Sequence, residues 1–401
     1  MDWFNNLFQK KSRRIFLDYA SATPVLREVK RAMEIFESKA FYNPSAIYEE
    51  GVWVKKKVED FRAMVAVLVG AGAKEIIFTG SGTESVNLAI LGVFEAFRQV
   101  QGERSKDKPH IIISAIEHPA VVKATEEAVR RGAEVSTCRV DEFGVISLEH
   151  LKKLIKKNTI LVSIGLSNSE IGTVQPISKV GRLLREERKK RNSEYPLLHT
   201  DASSAPSYIN VNIEALQCDL LTLDGSKIYG PKGVGILATR RGVNLRPIIF
   251  GGNQERGMRA GTVSPALIAG FSKALEIALR DREQERTRLE SLRQDFIAQV
   301  VKALPEAIIN GSNEVHCPNI VSMSIPGALS EFLLLKLDKL GVIVSVGSAC
   351  SYDERESGSP VIAALGKKEL RESTLRFSFG RFTTKKDLDE AIKVFVPILN
   401  L

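Results

Sequence analysis

Short apolar runs alternate with amphipathic stretches from about residue 50 to about residue 240. The runs Ile76-Ile77-Phe78-Thr79, His110-Ile111-Ile112-Ile113-Ser114, Ala133 to Val140, Asn158 to Leu166, Tyr195 to His199, Leu220 to Leu223 and Val234 to Thr239 predict strands. Apolar residues at helical spacing in Val52 to Val69 and Val86 to Phe97 predict helices, and another follows Pro119. Several runs are continuously apolar instead of alternating, which predicts burial on both faces in a parallel sheet flanked by helices. In such sheets ligands bind beyond the carboxyl ends of the strands. The polar turns after these strands carry Gly82/Thr83, His118, Asn168/Ser169, Asp201/Ser204 and Ser226/Lys227, so the residues able to do chemistry are expected on one rim.

The flanks read differently. Residues 1–14 form an arm with a basic end, Lys10-Lys11-Ser12-Arg13-Arg14. Ile15 to Tyr19 predicts a short strand, Pro24 suits the start of a helix, and Phe41-Tyr42-Asn43-Pro44-Ser45 is a loop of breaker residues. After Gly251 to Thr262, residues 265–303 predict one or two long helices with a charge-dense middle. Strands are expected near Asn319–Ile325, Val342–Val346 and Leu375–Phe379. The expected layout is a large α/β domain over 15–264 and a smaller α+β domain over 265–401, beside which residues 15–30 are placed to pack. A length of 401 residues fits two such bodies.

Composition changes this picture little. The chain is 44% hydrophobic and 26% charged, ordinary for a globular protein. No apolar run reaches the roughly 18 residues that would span a bilayer. The first residues lack the apolar segment of a signal peptide, so a cytoplasmic location is expected. The net charge of +9 comes from 57 basic against 48 acidic residues, mostly interleaved, as in Arg185-Glu186-Glu187-Arg188. That is a solvated surface or an attraction to an acidic partner protein, with no nucleic-acid or membrane motif beside it. Cys138, Cys218, Cys317 and Cys350 are widely spaced without a Cys-x-x-Cys pair, which argues against a disulfide framework or a metal site.

Candidate chemistry gathers on the turns. Lys227 lies between two buried runs, in Asp224-Gly225-Ser226-Lys227-Ile228-Tyr229-Gly230-Pro231-Lys232-Gly233. An ammonium near the interior is costly unless it is partnered or neutral, and an easily neutralised lysine forms Schiff bases. Lys227 is thus read as the holder of a pyridoxal cofactor, against the alternative of a solvated loop lysine. Gly80-Ser81-Gly82-Thr83, between a strand and a helix, is a phosphate cradle or an ordinary glycine turn. Asp201 ends a strand, as a helix cap or as partner of a protonated pyridine nitrogen. His118, before Pro119, is structural or a stacking, proton-carrying ring. Arg376 inside an apolar strand wants a carboxylate, either a substrate's or an internal one. Cys350 begins a polar stretch, Ser351 to Ser359, which points to a reactive thiol.

These motifs resemble the cysteine desulfurases of the NifS/IscS type, in the class V branch of the fold-type I pyridoxal-phosphate enzymes. The resemblance runs from about Ile15 to Leu399. It is carried by Leu17-Asp18-Tyr19, Asn43-Pro44-Ser45, Thr83-Glu84-Ser85, Glu117-His118, Glu170-Ile171-Gly172, Asp201-Ala202, Lys227 to Gly233, Arg256-Gly257-Met258-Arg259, Gly347-Ser348-Ala349-Cys350 and Arg376-Phe377-Ser378. It implies a homodimer that uses pyridoxal 5'-phosphate to convert L-cysteine to L-alanine. Lys227 would carry the cofactor, Asp201 would meet the pyridine nitrogen, and His118 would stack on the ring and move protons. Gly82 and Thr83 would hold the phosphate, with Thr262 reaching in from the second subunit. Arg376 and Asn43 would bind substrate, and Cys350 would take the sulfur as a persulfide. The loop after Cys350 would deliver it to an acceptor such as an iron–sulfur scaffold protein.

The cofactor cup departs from the family pattern at four places. Ser169 stands where an asparagine is usual, with Asn168 one place earlier as a stand-in, and Ser204 replaces a glutamine. Asp224 and Ser226 stand where a hydroxyl residue and a histidine normally help hold the phosphate. These departures keep two other readings open: a degenerate paralogue acting as a binding or regulatory partner, and a related class V aminotransferase or selenocysteine lyase.

Overall fold

The computed structural model describes residues 14–101, 108–347 and 358–399. The expected arm up to residue 13, and Cys350 with most of the stretch that follows it, lie outside the described residues.

Strand β1 (Ile15–Phe16) is followed by the strands of the main sheet: β2 (Ile76–Thr79), β3 (His110–Ser114), β4 (Glu134–Cys138), β5 (Thr159–Ser163), β6 (Leu197–Asp201), β7 (Leu220–Asp224) and β8 (Gly235–Thr239). Their spatial order is β2-β8-β7-β6-β5-β3-β4. The pairs from β7 through β4 are parallel. Strand β8 is antiparallel to both β7 and β2. Six strands therefore run one way, and their carboxyl ends share one rim.

The continuously apolar runs became buried strands because both faces of the sheet are covered. Phe78, Ile112, Val162, Leu198, Leu221 and Ile236 belong to a core shared with Val58 and Val65 of the helix Glu49–Val69 and Val180 of the helix Ile177–Arg191. Their strand neighbours Ile77, Ile111, Ile113, Leu161, Leu220 and Leu237 pack on the other side, under the helices Gly82–Gln101 and Pro119–Arg130. Successive side chains of a strand point to opposite faces, so each run must be apolar throughout. Edge strand β4 is the exception, and it is half exposed.

A 39-residue helix, Pro265–Ala303, leaves this body. Pro265 sits in its first turn and the Ser264 hydroxyl caps it. Ile268, Phe271 and Leu275 pack into the large core, whereas Leu289, Phe296 and Val300 pack into a second one. The charge-dense middle is one continuous helix between two cores, not a break between two helices. The second core lies against β9 (Ile308–Asn310), β10 (Ile320–Ser324) and β12 (Thr374–Ser378), an antiparallel sheet in the order β12-β10-β9. Strand β11 (Val342–Ile343) pairs in parallel with β1, Ile15 opposite Val342. Ile15 and Leu17 are therefore part of the second core. No helix among the described residues is long and apolar enough to cross a membrane.

Candidate active site

Lys227 ends a 3₁₀ turn, Gly225–Lys227, in the connection between the adjacent antiparallel strands β7 and β8. The base of the connection is closed by Gly225 N–H donating to Val234 O at 3.0 Å. A Cβ on Gly225 would lie 2.7 Å from Pro231 O, so glycine is required where the two limbs meet. The Lys227 ammonium donates to Ala20 O at 2.9 Å and Ser21 O at 2.6 Å, in the turn after β1. Thr23 ties the same turn to the lysine loop, its hydroxyl donating to Ser226 O and accepting from Tyr229 N–H.

Around this lysine the strand ends converge. Asp201 closes β6, and its Oδ1 accepts from Ser203 N–H and Oγ–H at 2.9 and 2.6 Å. Its second oxygen has no hydrogen-bond partner among the described residues. His118 caps the helix Pro119–Arg130, with Nδ1 accepting from Ala120 N–H at 3.1 Å. An amide N–H can only donate, so the neutral ring carries its proton on Nε2. His118 is exposed at its rim, but the enclosure of its ring lowers its basicity; Asp201 and Asp224 act to raise it and Lys227 to lower it. The histidine thus shares one electrostatic field with Lys227, Asp201 and Asp224.

Glu117, singled out in the sequence only as half of a motif, lies behind this cluster. Its carboxylate accepts from Ser114 Oγ and, at 3.1 Å, from Gly165 N–H. Burial, with Asp201 adding to it against those hydrogen bonds, pushes the carboxyl up to about 7. A serine three residues earlier at a strand exit was the only sequence hint of this enclosure.

Arg376 is an almost fully buried guanidinium in β12. It finds an internal carboxylate, donating to Asp18 Oδ1 at 2.7 Å, and it also donates to Ser21 Oγ at 2.8 Å and Ser169 O at 3.0 Å. Its Nε–H is buried and has no partner among the described residues. The turn that steadies Lys227 thereby also steadies Arg376. Asp18, Ala20 and Ser21 were not read as site residues in the sequence, because 358 positions separate Asp18 from Arg376.

Asn168 is committed elsewhere. Its Nδ2 donates to Ile116 O, and its Oδ1 accepts from the N–H groups of Glu170 and Ile171. Its Oδ1 builds its own turn and one Nδ2 hydrogen ties that turn to Ile116, which leaves a single N–H for any role in place of the asparagine missing at Ser169. Ser204 is half-buried. Asn43 and Thr262 are exposed, and no bond joins either to the cluster among the described residues. Thr262 follows a tightly wound segment in which Glu255 and Arg256 both have positive φ. That segment is pinned by a buried bidentate pair, Arg62 to Glu255 at 2.6 and 2.7 Å.

Gly82 and Thr83, expected to cradle a phosphate, are the first residues of the helix Gly82–Gln101. Gly82 N–H donates to Asp224 Oδ2 at 2.8 Å, and Asp224 Oδ1 accepts from Ser226 N–H and Oγ–H at 2.7 and 2.6 Å. The carboxylate sits on the helix start, held between Gly82 and Ser226.

Comparison with known proteins gives this arrangement its context. The description "Aminotransferase class-V" matches residues 15–391. A cysteine desulfurase IscS from Dictyoglomus turgidum is 39% identical over 388 residues, covering 96% of this chain and 95% of its own length. The chain belongs to the class-V aminotransferase family, among its cysteine desulfurases. A solved NifS-like protein is 31% identical with a TM-score of 0.87, covering 96% of this chain and 99% of its own. Another solved relative, SspA in complex with cysteine, is 29% identical with a TM-score of 0.75, covering 92% of this chain and 99% of its own.

Class-V members are pyridoxal-phosphate enzymes. The ring end of that cofactor fits here: an amine, a carboxylate oxygen with no partner among the described residues and an imidazole of lowered basicity converge at one rim. The phosphate end fits poorly, because Asp224 already satisfies the first N–H of the cradle.

Proposed function

We propose that this chain is a cysteine desulfurase that removes sulfur from L-cysteine and leaves L-alanine. The sulfur moves to the Cys350 thiol, giving a Cys350 persulfide, so that substrate plus thiol equals alanine plus persulfide. The observation that carries this reading is the convergence of Lys227, Asp201 and His118 on one rim in a chain of this family.

When bound, the cofactor supplies an electron sink for the substrate's carbanion. The chain's own residues supply the rest. Lys227 would hold the cofactor, and its ammonium now rests on two carbonyl oxygens it must leave. Asp201 offers its unpaired oxygen to a protonated pyridine nitrogen. His118 presents a neutral ring whose Nε2 carries the proton. It accepts a second proton only when Nδ1 releases Ala120, which reinforces its low basicity. Arg376 would orient the substrate carboxylate with a guanidinium that Asp18 and Ser21 already aim. Gly82, Thr83 and Ser226 frame the phosphate end, Thr262 would reach it from a second subunit of a homodimer, and Asn43 and Ser204 would line the substrate side. Cys350 would pass its sulfur to an acceptor protein of iron–sulfur or thio-cofactor assembly.

Purified protein given pyridoxal phosphate should show the absorption of a lysine-bound aldehyde and release sulfide from cysteine with a reductant. K227A should lose both, and C350A should keep the absorption and lose sulfur transfer. Transamination that persists in C350A with no sulfide from the wild type would favour an aminotransferase instead. A protein that never takes up the aldehyde would overturn the proposal.

A further inference from the structure

We infer that Asp224 acts as a resident anion in the phosphate cup, so that this chain holds its cofactor by the aldehyde and ring and gains little affinity from the phosphate. This rests on the reading of Lys227 as the cofactor lysine.

Asp224 is the last residue of β7 and pairs with Gly235 of β8, so its backbone is fixed in the ladder. Its carboxylate spans two elements, taking the N–H of Gly82 on one side and both donors of Ser226 on the other. A Cβ on Gly82 would lie 3.1 Å from Asp224 Oδ2 and 2.9 Å from Ser203 Oγ, so the carboxylate is in contact with the floor of the cradle. The floor cannot retreat. A Cβ on Gly235 would meet Ser81 C at 2.7 Å and Gly82 N at 3.0 Å, which leaves no slack behind it.

The charges nearby do not compensate. Arg259 approaches Gly80, where a Cβ would lie 3.3 Å from its Nη2, but it is paired with Glu84 at 3.0 Å. Gly80 N–H itself donates to Glu84 Oε2 at 2.8 Å. Among the described residues the helix start thus holds two carboxylates, Asp224 and Glu84, against one guanidinium, Arg259. A phosphate dianion must either sit beside Asp224 against Coulomb repulsion or drive it out of three charge-assisted hydrogen bonds. Either route removes the affinity that a helix N-terminus normally gives a phosphate.

Equilibrium titration of the lysine-bound aldehyde band with pyridoxal 5'-phosphate and with pyridoxal tests this in wild type, D224S and D224N. Wild type is expected to prefer the phosphate form by less than about tenfold, about 1.4 kcal/mol. D224S should tighten pyridoxal 5'-phosphate by about tenfold or more and change pyridoxal by less than about twofold. D224N, which keeps the shape and drops the charge, should move the same way. The inference is overturned by a wild-type preference beyond about a thousandfold, or by affinities for both compounds that neither substitution shifts. No band with either compound in any of the three folded proteins would overturn the cofactor site itself, and this inference with it.

Discussion

Replacing Glu117 by glutamine should change how stability depends on pH. The residue keeps some accessible surface, but its carboxyl group is enclosed and titrates at about 7 instead of the ordinary 4.5. The groups that face it are Asp201, which raises the value, and the donors Ser114 and Gly165, which lower it. Below 4.5 the carboxyl is protonated in both the folded and unfolded chain, and its contribution is fully present. As pH rises, the unfolded chain releases the proton first and the folded state loses stability until the folded value is passed. At roughly 1.4 kcal/mol per pH unit, the loss between 4.5 and 7 amounts to about 3 kcal/mol. Glutamine keeps an acceptor for Gly165 and nearly the same shape but has no proton to release. The assay is urea unfolding of both proteins at intervals between about pH 4.5 and pH 8. The stability of E117Q minus that of wild type should rise by about 3 kcal/mol across this range and level off above it. Titrating groups that do not face Glu117 cancel in that difference. A difference that stays flat within about 0.5 kcal/mol would mean that Glu117 ionises as a solvated carboxylate, and the account of its enclosure would fail.

Three other outcomes follow from the geometry. R62M leaves Glu255 as an unpaired buried carboxylate and should cost about 3–5 kcal/mol in urea unfolding, with R62M/E255M recovering most of it. Thiol titration of the native protein should find one fast group, Cys350. Burial raises Cys138 and Cys317 to about 11 and Cys218 further still, so these three should react only in denaturant. G235A drives a Cβ against Ser81 C at 2.7 Å and Leu223 O at 2.8 Å, both backbone. It should cost about 1–3 kcal/mol by thermal unfolding monitored by circular dichroism, and weaken pyridoxal 5'-phosphate uptake with it.

The rim was legible in the sequence because parallel strands buried on both faces must be continuously apolar, and each run ended in a polar turn. That logic placed Lys227, Asp201 and His118 before any coordinates. It did not reach β9, whose three residues include a part-exposed Ile308 and lack a run long enough to read. Side-chain direction was also out of reach. Asn168 and Ser169 look interchangeable as neighbours, yet the Asn168 amide oxygen and one of its N–H groups are already engaged by Glu170, Ile171 and Ile116. Asp224 announced a charge near the cup, but whether it turned in or out depended on Ser226 and Gly82 offering donors from two elements. Glu117 went unread because enclosure comes from Ser114 and Gly165, one of them 48 positions away. Arg376 showed the need for a carboxylate, and only the fold could say that Asp18 already meets it.

The helix Pro265–Ala303 has a consequence for how the molecule comes apart. Its two halves are walls of different rooms, and the chain between them is a rigid rod with no joint. Melting either room removes a wall from the other, since Phe271 and Phe296 ride on the same rod. The two cores should therefore be lost in a single calorimetric transition. The rod holds the two rooms at a fixed spacing.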